Sequence, residues 1–181
     1  YTWELGYLKN FINGDKVIDL QEYLDADPEW RDSFNAGILD PVTYDGDVYA
    51  IPVTTTVAMM YYNEEIFEQQ GLTVPTTIEE LEAVCDQLKE AGITPIALGG
   101  TSEDAWLVSQ IIQELSNGIA GYDLYSGIVD GSRNWNDPAF IEAAELLQKW
   151  IDAGYFEDGF TGVGNNEARA LFQTGMTAMY Y

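Results

Sequence analysis

Apolar residues recur along the chain in two rhythms, and the changes between them mark the elements. The clearest helical rhythm runs through "TTIEELEAVCDQLKEAG", residues 76–92. Ile78, Leu81, Val84, Cys85 and Leu88 fall on one face, with Glu79, Glu82, Asp86 and Lys89 on the other. Thr77 and Glu80 have capping-box spacing, and Gly92 ends the pattern. "NDPAFIEAAELLQKWIDAG", residues 136–154, repeats this punctuation: Asp137 caps, Pro138 fits the first turn, and Trp150 lies on the apolar stripe. Residues 101–115 show a wider face of Trp106, Leu107, Val108, Ile111, Ile112 and Leu115, with Thr101 or Ser102 as cap. Asn63 heads a helix closed by Gly71, Asp27 and Pro28 open another, and a last one covers residues 167–173. A loop rich in glycine and tyrosine is expected over residues 117–135.

Between these helices lie short apolar runs suited to strands: "VYAIPV", "TPIAL" and "TAMYY". The alternation is that of an α/β protein. "YDGDVYAIPVTTTVAMMYYNEEIF", residues 44–67, is the unusual stretch. Asp45 and Gly46 are a hairpin-turn pair, yet the extended segment after them is long and changes character at the threonines. Strand-forming residues at the end of the chain, with no polar tail, read as part of a longer protein.

Composition narrows the choice of function. The 181 residues are 46% hydrophobic with five tryptophans, enough for a substantial core. No apolar run reaches the ~18–20 residues of a membrane span. Seven basic against 31 acidic residues give a formal charge of −24, a field that repels nucleic acid and anionic lipid. A neutral or cationic ligand suits it, although an acidic surface also keeps an exported protein soluble. The absence of histidine removes histidine-based nucleophilic catalysis and histidine metal sites. Cys85, alone and on an apolar stripe, reads as core.

The acidic pairs Glu103-Asp104 and Glu157-Asp158 could in principle serve glycoside hydrolysis, but so acidic a chain makes such pairs inevitable as solvated surface. Asp40, Asp45 and Asp47 lack the ligand pattern of an EF-hand loop, and Gly99-Gly100 has no Walker lysine after it. No cofactor and no metal is expected. Binding chemistry is better supplied. A Gly-Gly pair at a strand end lets a ligand approach free backbone N–H groups, and Thr101 and Ser102 add hydroxyls. Trp106, one turn in, is either core or a face for sugar stacking. Trp135, in a loop before a cap, is open between the same two readings, Trp150 is core, and Trp3 cannot be placed by periodicity.

Taken in series, several motifs resemble family 1 extracellular solute-binding proteins of sugar ABC transporters. They are "YDGDVYAIPVTTTVAMMYYNEEIFEQQGL", "VPTTIEELEAVCDQLKEAGITPIALGG", "WNDPAFIEAAELLQKWIDAGYF" and "EARALFQTGMTAM". The resemblance implies a type II periplasmic-binding-protein-like fold with one complete three-layer α/β/α lobe and part of another. It puts the tail of lobe 1 in residues 1–56, lobe 2 in 57–177, and the start of a strand returning to lobe 1 in 178–181. Val48 to Thr56 would be lobe 1 strand, the threonines the hinge, and Val57 to Tyr62 the first strand of lobe 2. It further implies a non-enzymatic protein that binds a neutral sugar in a cleft between lobes and delivers it to a membrane permease. By motif position Trp3 and Glu4 correspond to a lobe 1 cleft loop and Thr55 and Thr56 to a hinge contact. Gly100, Thr101, Ser102 and Trp106 correspond to the lobe 2 loop and helix start. Such proteins are extracellular, periplasmic or lipid-anchored, with any signal or anchor upstream of Tyr1. Two alternatives remain at this stage: a binder of cations such as polyamines, which would use Glu4 and Glu103, and a piece of a carbohydrate-active enzyme.

Overall fold

The computed structural model describes residues 5–54 and 56–181. The chain divides into two compact units, Tyr1–Val57 and Ala58–Tyr181.

In the first unit, helices α1 (Leu5–Asn13), α2 (Gln21–Ala26) and α3 (Pro28–Arg31) precede a hairpin of β1 (Thr43–Tyr44) and β2 (Asp47–Val48). Asp27 starts α3 as expected, accepting a hydrogen bond from the Trp30 amide with Pro28 behind it. Asp45 and Gly46 both take positive φ, 53° and 98°, the geometry a tight two-residue hairpin demands. Leu8, Leu24, Val42 and Val48 form a small core.

The second unit holds β3 (Tyr61–Tyr62), α4 (Glu64–Gln70), α5 (Ile78–Glu90), β4 (Thr94–Ala97), α6 (Ala105–Ala120), α7 (Asp123–Asp130), α8 (Pro138–Asp152), α9 (Asn165–Gln173) and β5 (Thr177–Tyr180). Its sheet runs β3-β5-β4, with β5 antiparallel to β3 and parallel to β4. Residues 155–157 extend it: Phe156 bridges Ile96 in parallel, and the Ile96 amide donates to the Tyr155 carbonyl at 2.9 Å. The expected core stripe of α5 is buried through Val84, Cys85 and Leu88. It joins Ile96, Leu98, Leu107, Ile111, Leu147, Trp150 and Met179 in one cluster. Desolvation, followed by the charges of Asp86 and Glu82, pushes the Cys85 thiol up to about 12. Trp150 spans core and surface, its indole N–H donating to Glu82 at 3.0 Å while Lys149 donates to the same oxygen at 2.6 Å.

Three sequence expectations need correction. The long extended segment is barely a strand. β2 ends at Val48, residues 49–54 and 56–60 have no regular secondary structure, and pairing resumes only at Tyr61. Tyr61 pairs with Tyr180 and Tyr62 with Met179, whereas Pro52, which has no N–H group to give to a ladder, sits in the irregular stretch before them. The glycine- and tyrosine-rich stretch is mostly helical. Helix α6 continues to Ala120 and α7 follows after Gly121, because Leu124 and Gly127 provide a buried face that the small residues obscured. Finally, neither Thr101 nor Ser102 caps α6. Asp104 holds the cap position, and its carboxylate is aimed elsewhere.

Candidate ligand site of the second unit

The C-terminal end of β4 leads into residues 98–104, and the loop before α9 lies alongside them. Together Thr101, Ser102, Glu103, Asp104, Gly164, Asn165 and Asn166 line an open pocket of about 470 Å³. Its floor is built on Asp104. One carboxylate oxygen, Oδ2, accepts the Asn165 amide at 2.8 Å and the Thr101 hydroxyl at 3.1 Å. Asn165 is the first residue of α9, whose own cap position, Gly164, offers no side chain. Asp104 therefore stands at the start of α6 and caps α9 from outside, a favourable place for a negative charge at both helix ends.

The two glycines serve this packing rather than ligand approach. The Gly100 amide donates to the Val163 carbonyl at 3.0 Å, so it is not a free N–H group. A Cβ on Gly99 would lie 2.6 Å from the Asn165 Cα, and one on Gly100 would lie 2.6 Å from the Phe160 ring. A side chain at either position would push the two loops apart. Asn165 is fixed further by the Tyr180 hydroxyl, which donates to its Oδ1 at 2.7 Å, and Asn166 by Arg169, which donates to its Oδ1 at 2.6 Å.

One rung below, the Glu157 carboxylate accepts the Leu98 amide at 3.1 and 3.3 Å through its two oxygens. Burial raises the Glu157 carboxyl above its ordinary value against the lowering effect of that hydrogen bond, and the charge of Glu167 adds to the rise.

The structure brings Thr101 and Ser102 to this pocket, with Gly100 one residue before its lining and Trp106 on the first turn of the adjoining helix. Trp106 is 49% exposed, which sets aside core packing as its role. Trp135, 67% exposed, packs edge-to-face on Tyr125. Thr56 is exposed in the first unit. Trp3, Glu4 and Thr55 lie outside the described residues. Asp104 is named from sequence only within the acidic pair Glu103-Asp104, and Gly164, Asn165 and Asn166 are not named at all. The available signal was "GVGNNEAR", which puts glycines and amides ahead of a helix in the manner of "GGTSED".

Among the described residues no cluster of acidic or thiol groups could hold a metal ion, and no helix is long and apolar enough to cross a membrane. The pocket offers hydroxyl, amide and carboxylate groups, and the half-exposed Trp106 lies on the first turn of the helix that follows Asp104. That set can bond the edges of a neutral polyhydroxyl ligand and cover one of its faces.

A model of the bacterial extracellular solute-binding protein family matches residues 1–181. The chain belongs to that family. It is 37% identical over 140 residues to a multiple sugar-binding protein of Streptococcus mutans, covering 69% of this chain and 30% of that protein. A solved structure from work on xylan utilization by the thermophilic bacterium Caldanaerobius polysaccharolyticus shares 34% identity with a TM-score of 0.86, covering 95% of this chain and 43% of that one. A chitin oligosaccharide binding protein shares 27% identity with a TM-score of 0.85, covering 96% and 43%. The α/β architecture is accordingly part of the fold of periplasmic solute-binding proteins. The chain spans less than half the length of the curated relatives it matches, for example 31% and 41% of two of them. A solute-binding family is non-enzymatic. The acidic pairs fit that assignment, since Asp104 and Glu157 are committed to backbone amides within the loop framework.

Proposed function

We propose that this chain carries part of the sugar-recognition surface of an extracellular component of an ABC importer, which hands its ligand to a membrane permease. The observation that carries the reading is the joining of Thr101, Ser102, Glu103, Asn165 and Asn166 in one pocket with the half-exposed Trp106 on the adjoining helix. Hydroxyls and amides both donate and accept, matching sugar hydroxyls, while the indole stacks against the apolar C–H face of a pyranose. The formal charge of −24 disfavours anionic cargo. The multiple-sugar and chitin-oligosaccharide names of similar proteins point to the same ligand class.

In this reading residues 1–56 are the tail of lobe 1, 57–177 are lobe 2, 178–181 begin the return to lobe 1, and Trp3, Glu4, Thr55 and Thr56 add contacts. Work is done outside the cytoplasmic membrane.

Thermal-shift screening against xylo-, chito- and malto-oligosaccharides, with spermidine as the cationic comparison, tests the proposal. A ligand at ~100 times its dissociation constant stabilises by about 2.7 kcal/mol. A shift with one oligosaccharide class supports the reading. A shift with spermidine alone, abolished by Glu103→Gln, transfers the site to cation binding, and no shift with any sugar defeats the proposal.

A further inference from the structure

The ligand loop is held along one side by a single continuous segment. Residues 155–165 run beside residues 96–104 and meet alternate amides: Ile96 donates to the Tyr155 carbonyl at 2.9 Å and Gly100 to the Val163 carbonyl at 3.0 Å. Between these two backbone rungs the chain cannot continue as a strand, because residues 160–162 form a 3₁₀ turn that brings Phe160 against Gly100. The Leu98 amide would be left without a backbone partner at a residue with no exposed surface. Glu157 fills this gap, its carboxylate accepting the Leu98 N–H in place of a carbonyl.

We propose that Glu157 is a positioning residue for the ligand pocket, a side-chain rung that fixes residues 98–104 in register with residues 155–165. The proposal rests on the reading of residues 101–106 as a ligand surface, but the rung itself is made by the protein's own groups. A buried N–H group without an acceptor is costly, so removing the carboxylate frees Leu98 to move and take Gly100 and Thr101 with it. The neighbouring rungs, both backbone to backbone, lose no partner to a side-chain change, but the one at Gly100 opens more often once Leu98 is freed. Glutamine keeps an acceptor oxygen at the same reach, and alanine does not. The acidity of Glu157 is dispensable in this role, because its protonated form still accepts through the carbonyl oxygen.

Hydrogen exchange on the protein from its full reading frame, without ligand, is the first readout. Titration with xylotetraose and chitotetraose is the second. Glu157→Ala should speed exchange of the Leu98 and Gly100 amides about tenfold or more, while the amides of α5 and α8 keep their protection, and should weaken oligosaccharide binding about tenfold, the worth of one buried hydrogen bond. Glu157→Gln should restore both. Unchanged exchange in Glu157→Ala overturns the proposal, as does a glutamine variant that behaves like alanine. If Glu157→Ala fails to fold, Glu157→Asp, which withdraws the carboxylate by one methylene, takes its place. If the unaltered protein binds neither probe, the sugar reading fails, and the exchange arm still decides the role of Glu157.

Discussion

Replacing Asp104 by alanine removes three things at once. The Asn165 amide loses its acceptor at the start of α9, the Thr101 hydroxyl loses its partner, and a negative charge leaves two helix N-termini. A hydrogen bond to a charged group contributes ~1.5–3 kcal/mol, and the loss of an N-cap costs ~0.5–2 kcal/mol. These describe largely the same bond, so they do not add, and partial exposure of Asp104 lowers the figure. About 2 kcal/mol is the expected cost, near 6 °C in melting temperature at ~2–4 °C per kcal/mol for a chain of this size. Asp104→Asn keeps an acceptor oxygen and gives up only the charge, worth ~0.3–1 kcal/mol at a helix end. The assay is thermal unfolding by circular dichroism for the two variants in parallel. An alanine variant within 1 °C of the unaltered protein would refute the reasoning. So would an asparagine variant as damaged as alanine, since the hydrogen bond would then not be the stabilising element.

Trp106→Ala should leave the melting temperature within about 2 °C, because half the side chain is exposed, yet weaken oligosaccharide binding about tenfold by calorimetry through loss of ~1.5 kcal/mol of stacking. Cys85, fully buried with its thiol held at about 12, should be unreactive to a disulfide reagent in the native protein and titrate as one thiol in denaturant. Glu82 is held below the ordinary carboxylate range first by its hydrogen bond to Lys149, against a desolvation penalty, and then by that to Trp150. A depressed folded value means stability present above the unfolded pKa and lost as pH falls through the folded one. Glu82→Gln should therefore cost about 1 kcal/mol at pH 7, and the cost should shrink as pH is lowered through the acid range, read from urea unfolding across a pH series.

Helix starts were the most legible feature of the sequence. Asn63, Thr77 and Asp137 each cap as their spacing indicates, because a capping contact involves residues only two or three apart. The burial of Cys85 and Trp150 followed from periodicity for the same local reason. What stayed hidden depends on partners far along the chain. The strand partner of Tyr61 and Tyr62 is β5, roughly 120 residues later by the register of Tyr62 with Met179. The use of Gly99 and Gly100 is set by Phe160 and Asn165, and no local pattern tells a glycine that admits a ligand from one that admits another loop. Asp104 reads from sequence as half of a solvated acidic pair with Glu103, since its meaning lies in the Asn165 amide it meets.

Binding of a neutral oligosaccharide in the pocket of residues 101–104 and 164–166, with a contribution from Trp106, is open to direct test. Calorimetric titration of the protein from its full reading frame with xylo- and chito-oligosaccharides, repeated on Asn165→Ala and Trp106→Ala, tests it most directly. The account predicts saturable one-site binding of one oligosaccharide class, weakened about tenfold by either substitution, as expected for the loss of one good polar or stacking contact. Unaltered affinity in both variants would place the sugar elsewhere on the protein and contradict the account.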